Sequence, residues 1–200
     1  MTWSHLQAVT ALYLAGLLWL HHKQWTLLRY IWSAFGFAFV LINLSLLQNW
    51  HTALASIEAG HVQAMVAPLG IALQVQGSTL LLVPDPTGWS GLQINIECST
   101  LIELSVLAGL LLFYPRLPFR QRWLYLGLGS GGTYLLNLLR ILVIVILIHT
   151  WGKPVVYLAH VIIGRLVYFA GVVALYWFLL TRPTLALVHR SIETAGRAVQ

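Results

Sequence analysis

The sequence predicts an all-α polytopic membrane protein, with about five transmembrane helices and one small extracytoplasmic segment. Three observations predict it. The 200 residues are 59% hydrophobic and 8% charged, against about 25% charged in an ordinary soluble domain. Mean hydropathy is +0.81, and several apolar stretches approach or exceed the ~20 residues that span a bilayer. The basic residues, which give a net charge of +6, gather in the loops on one side of these stretches, as cytoplasmic loops do. They form no basic face of the kind that binds nucleic acid, so no nucleic-acid partner is expected.

Met1 to His5 carries no Lys or Arg, and no small-residue cleavage site follows, so the start does not read as a signal peptide. Leu6–Leu20 is a short first span, ended by His21-His22-Lys23-Gln24. The second span runs from about Leu27 to Leu47. Tyr30 and Trp32 suit one interface and Trp50 the other.

Residues 49–97 differ in kind. Leu54, Ile57, Val62, Met65, Val66 and Leu69 recur at helical spacing, which predicts an amphipathic helix lying on the membrane surface. Alternating residues 71–76, a turn at Gly77-Ser78 and β-prone residues 79–83 follow. A second turn at 84–88 and alternation over 92–97 complete a short β-meander that leads straight into Cys98.

The third span covers about Ser99–Tyr114, and the loop 115–122 after it holds three Arg. The fourth, about Trp123–Ile148, is Gly-rich early, where helices pack closely. A tight turn at 149–154 precedes a fifth span, Val155–Leu180, and a polar, basic tail. No internal repeat is visible. The chain reads as one domain, 1–200, with 49–97 as an insertion.

Lys23, Arg29, Arg116, Arg120, Arg122, Arg182, Arg190 and Arg197 fall on one side of five such spans, and Lys153 alone on the other. The positive-inside rule makes the first side cytoplasmic and the insertion extracytoplasmic, in the plasma membrane. Three costly residues then share one depth. Cys98, the single cysteine, precedes a helix that starts outside. Arg140 is 18 residues beyond Arg122, about 27 Å along a helix. His160 lies a turn or two into the last span. Ionisable groups in such sequence are functional candidates by default.

Their chemistry is complementary. A thiolate is a nucleophile, and a nearby cation lowers a cysteine pKa from about 8.5. An imidazole moves protons, and a guanidinium stabilises an oxyanion. The set points to acyl transfer through a thioester. Asn137, on the face of Arg140, is expected to hold the guanidinium by a hydrogen bond. Glu103 and Arg165, each five residues past a member of the trio, are expected to form a buried structural ion pair. No metal-ligand spacing is present, and no cofactor is expected.

Glu97-Cys98-Ser99, Asn137-x-x-Arg140-Ile141 and His160-x-x-x-Gly164-x-x-x-x-Phe169, in this order on successive spans, resemble the exosortase/archaeosortase family over about Leu92–Leu180. The family often carries Gly where this chain has Thr100, and many members have seven or eight spans. The resemblance implies a membrane transpeptidase with Cys98 as nucleophile, Arg140 as transition-state stabiliser and His160 as acid/base, supported by Glu97, Ser99 and Asn137. It implies substrates that are exported proteins ending in a short motif, a transmembrane helix and a basic cluster. Cleavage at the motif would pass the new carboxyl end to an envelope acceptor, a lipid or a glycan. Two other classes fit the composition. A small transporter or channel subunit would favour charges near the midplane. A non-catalytic scaffold leaves the shared depth of Cys98, Arg140 and His160 to chance.

Overall fold

The computed structural model describes residues 3–115 and 117–182. Helices α1 (Trp3–His22), α2 (Thr26–Leu47) and α3 (Trp50–Val66) come first. Strands β1 (Gln74–Gln76), β2 (Leu80–Asp85) and β3 (Gly88–Gln93) follow, then α4 (Leu101–Leu112), α5 (Phe119–Trp151) and α6 (Gly164–Tyr176). A π-helical turn, Leu158–Ile163, leads into α6.

Three stretches are long and apolar enough to cross a membrane: α2, α5 and the helical run Lys153–Leu179. The expectation of five is therefore met in part. α1 has 20 residues, but Ser4, His5 and Gln7 dilute its apolar run. α4 has 12 residues, about 18 Å of helix, well short of a ~30 Å hydrocarbon core. Its start is delayed by the Cys98 turn, and it stops just ahead of Pro115, because a residue before proline leaves the helical region.

α2 and α4 pack closely. A Cβ at Gly109 would collide with the Ala34 carbonyl, so glycine is required at that crossing. Tyr30 Oη donates to the Leu110 carbonyl at 3.1 Å, which sets the α1–α2 and α4–α5 loops at one end of the molecule. Leu179 lies against Gly129, so the last turn of the Lys153–Leu179 run comes to that same end. At the opposite end Gly152, at φ 73°, terminates α5 beside Asp85 and Pro86. His149 Nδ1 donates to the Pro84 carbonyl at 2.6 Å. Lys23, Arg29, Arg120, Arg122 and Arg182 thus share one end, and Lys153 sits with the insertion. Arg116, Arg190 and Arg197 lie outside the described residues.

The insertion is a three-stranded antiparallel sheet in the order β1-β2-β3 plus α3. The third strand arrives earlier than the alternation at 92–97 suggests. The two-residue turn Pro86-Thr87 places Gly88 opposite Asp85, so pairing begins at once. Asp85 braces the turn, accepting from Thr87 N and Oγ1, each at 2.6 Å, and from Ser90 Oγ. These bonds, Ser90's first, hold its carboxyl below the usual range.

α3, expected as an amphipathic helix on the membrane surface, also packs one face against the rest of the protein. It buries Ala55, Glu58, Ala59, Val62 and Val66, and leaves Ile57 and Met65 exposed, as is Leu69 in the short turn that follows. Small residues let α3 approach α5 closely, so it docks on protein and its bulky residues point away. The main core is accordingly insertion on helix. Val62, Val66, Leu81, Val83, Leu92 and Ile94 close over Leu138, Ile141, Ile144, Val145 and Ile148 of α5. Each such buried aliphatic side chain contributes roughly 1.5–3 kcal/mol.

The orientation has a direct check. On a Cys98→Ala background, Ser78→Cys is expected to react with an impermeant maleimide in intact cells, and Arg120→Cys only after lysis. The reverse pattern inverts the protein in the membrane.

Candidate active site

Cys98 is set by a local turn. Its N–H meets the Asn95 backbone oxygen at 3.0 Å and Asn95 Oδ1 at 3.1 Å, and Ser99 N–H bonds the same carbonyl at 2.8 Å. Side-chain-to-backbone bonding of this kind is what asparagine offers a turn. It delivers Cys98 between the end of β3 and the start of α4. Asn137 and Arg140 come from neighbouring positions on one face of α5. His160 comes from the π-helical turn, a rare element that recurs at functional sites.

These elements converge. His160 Nε2 lies 3.6 Å from Cys98 Sγ, and Arg140 Nη2 approaches the same sulfur at 3.8 Å. Arg140 Nη1 donates to the Glu97 carbonyl at 3.4 Å, and the guanidinium lies 5.5 Å from the centre of the Tyr168 ring, within cation–π range. Cys98 is 5% exposed and Arg140 4%, while His160 is half-buried. Leu92, Gln93 and Ile94 roof a cavity of about 10 Å³ beside the sulfur, with Ile141 and Ile144 in its walls. A polar cleft of about 390 Å³, lined by Glu97, Glu103, Arg140, Arg165 and Tyr168, shares Arg140 with it.

Burial changes the expected electrostatics of the thiol. Desolvation pushes the Cys98 pKa up, and the Arg140 field, which pulls it down, does not overcome it. The lowered pKa expected from a neighbouring cation is therefore not what the site produces. At neutral pH Cys98 rests as a thiol, next to a base that can take its proton.

Other expected roles shift too. Asn137 does not hold Arg140; its Nδ2 donates to the Cys98 carbonyl at 2.8 Å and to Glu58 Oε1 at 3.1 Å. Arg165 does not pair with Glu103 in the interior. It meets Glu97 at 3.5 Å with both side chains more than half exposed, and a pair so screened contributes at most about 1 kcal/mol. The long Arg165 side chain reaches the wet mouth of the cleft more cheaply than a buried partner. Glu103 lines the cleft with Oε2 unbonded among the described residues. Ser99 turns away, its Oγ donating to the Ile96 carbonyl at 3.0 Å. Glu58, Asn95 and Tyr168 were not singled out from sequence. For Glu58 a signal existed: it is the only Asp, Glu, Lys or Arg from 30 to 84.

The fold and this site define a helical membrane protein in which a thiol, an imidazole and a guanidinium meet beside a polar cleft. The family model described as transmembrane exosortase matches residues 1–178. The chain belongs to the transmembrane exosortase family. The match also covers α1 and α2, beyond the Leu92–Leu180 stretch that carries the motifs. No curated protein and no solved structure matches the chain.

Proposed function

We propose that the protein is a membrane cysteine transpeptidase that cleaves the C-terminal sorting signal of exported proteins and transfers them to an envelope acceptor. The observation that carries this reading is the approach of His160 Nε2 and Arg140 Nη2 to one sulfur, at 3.6 and 3.8 Å. Sγ attacks the scissile carbonyl as His160 Nε2 takes its proton. Arg140 stabilises the oxyanion that forms. The imidazolium then protonates the departing amine, which leaves a thioester on Cys98. His160 next takes a proton from the acceptor's amine or hydroxyl, which attacks the thioester. The carboxyl end passes to the acceptor, and His160 returns the proton to Cys98. Water as acceptor gives hydrolysis by the same steps. The site faces the extracytoplasmic side of the plasma membrane, with the substrate's helix in the bilayer and its basic tail inside. The test is whether a co-expressed protein with a C-terminal helix and basic tail is shortened in a Cys98-dependent way.

The substrate's motif docks as an added strand on the edge of β3 that no strand among the described residues covers, a common mode of peptide capture. The register supports this. Ile94 N–H bonds the Thr79 carbonyl at 2.8 Å, and Gly88 lies opposite Asp85. Residues 88, 90, 92 and 94 therefore point their backbone groups at β2, and Trp89, Gly91 and Gln93 point theirs outward. The outward edge ends at Gln93, which lines the small cavity beside the sulfur with Leu92 and Ile94. Gly91→Pro removes one outward N–H and no ladder bond, and is expected to slow processing at least tenfold. Gly91→Ala keeps that N–H and meets only Leu80 Cδ1, at 3.5 Å, so its effect is small. Unaltered processing by a stable Gly91→Pro protein makes the insertion a structural cap alone.

A further inference from the structure

We propose that Glu58 is a positioning residue for Cys98, acting through Thr100 and Asn137; the inference rests on Cys98 being the nucleophile. Glu58 is fully buried on a face of α3 otherwise made of Ala55, Ala59, Val62 and Val66. A carboxyl group there carries a desolvation cost that an alanine or valine would avoid. Three bonds, all to Oε1, offset part of that cost, while Oε2 has no partner among the described residues. Oε1 accepts from Thr100 N–H at 3.1 Å, from the Thr100 hydroxyl, and from Asn137 Nδ2 at 3.1 Å. Asn137 Nδ2 also donates to the Cys98 carbonyl at 2.8 Å. The backbone on both sides of Ser99 is thus tied, directly or through one amide, to a single oxygen.

This clamp joins three elements: α3 of the insertion, α5, and the turn that opens α4. The same α5 face carries Arg140, so the clamp sets the sulfur against the guanidinium as well as fixing the turn. It also gives Thr100 a role at the position where the family often has Gly. The hydroxyl of Thr100 is one of the three groups that Glu58 receives. Misplacement of a reacting group by about 1 Å can cost 10²-fold in rate, so a turn held at this precision affects chemistry out of proportion to its share of stability.

The experiment measures alkylation of Cys98 by iodoacetamide across pH in the full-length protein, in Thr100→Val, Glu58→Ala and Glu58→Gln. Melting temperature and protein level are read in parallel. Thr100→Val preserves shape and removes one bond, and it decides the matter if Glu58→Ala fails to accumulate. With the cap core intact the sulfur stays buried, and loss of alignment with Arg140 weakens the one field that favours the thiolate. The midpoint of the profile is expected to rise by about one pH unit, a tenfold slower reaction at pH 7.5. Glu58→Gln keeps a carbonyl oxygen for all three donors and is expected to retain the wild-type profile. A profile unchanged or shifted downward in Thr100→Val and in any Glu58→Ala that accumulates overturns the positioning role. That result leaves the nucleophile itself intact, whereas substrate processing by Cys98→Ala removes the nucleophile and this inference together.

Discussion

Cys98→Ala is expected to abolish shortening of the co-expressed substrate while the protein accumulates at its normal level. The substitution removes one buried sulfur, a small loss of packing of about 1 kcal/mol, and leaves the Asn95 turn and the Asn137 bond to the residue 98 carbonyl in place. Cys98→Ser is expected to be nearly as poor, because a hydroxyl holds its proton far more tightly than a thiol and the same burial acts on it. The pH dependence follows from the direction of the Cys98 shift. Burial raises the thiol pKa, so iodoacetamide labelling of the wild-type protein should be slow at neutral pH and still climbing above the ordinary thiol range near pH 8.5. Below that range the thiol is protonated and the attack depends on His160 as the base. Members of a catalytic unit give strongly non-additive losses. Removing Arg140 or His160 in addition to Cys98 is therefore expected to cost little more than Cys98→Ala alone. Processing of the substrate by Cys98→Ala at a near-normal rate would falsify the thioester route.

Arg140→Lys carries the second large effect: an expected drop of 10²–10³ in processing, the loss typical of one oxyanion donor. The change keeps the charge and removes the geometry. The guanidinium places Nη1 on the Glu97 carbonyl and Nη2 toward Cys98 Sγ while its carbon lies over the Tyr168 ring. An ammonium is a single point of donors on a flexible stem and cannot meet both partners from one position. At 4% exposure it also has almost no water to complete its hydrogen bonds. Substrate processing in detergent, with protein level checked by immunoblot, measures this. Full activity in Arg140→Lys leaves Cys98 as nucleophile and reduces Arg140 to a charge that orients the protein.

The broad architecture was legible because hydropathy and turn chemistry are local. α2, α5 and the last helical run appear where apolar stretches of sufficient length occur, and the meander follows Gly77-Ser78 and Pro86-Thr87. Cys98, Arg140 and His160 could be set at one depth by counting residues along helices from basic loops. The face that each helix turns inward was not legible. On α3 the stripe that includes Ile57, Val62, Met65 and Val66 reads as a membrane-facing one, yet Val62 and Val66 are buried in the protein together with Ala55 and Ala59. Close approach to a partner helix rewards small side chains, and a hydropathy pattern ranks them low. α4 reads as a span over about Ser99–Tyr114, but the Cys98 turn delays its start to Leu101 and it ends at Leu112, ahead of Pro115.

The sequence by itself determined the membrane class, the order of elements and the chemical types present near one surface. Those properties rest on transfer free energies and local backbone preferences, which each residue carries with it. Only the tertiary structure decided the partners: Asn137 with the Cys98 carbonyl, Arg165 with Glu97, and Glu58 with Thr100 across forty-two positions. A partner depends on the rotation of each helix about its axis and on the register in which the insertion seats against α5. Both are set by packing many side chains at once, so no single stretch of sequence contains them.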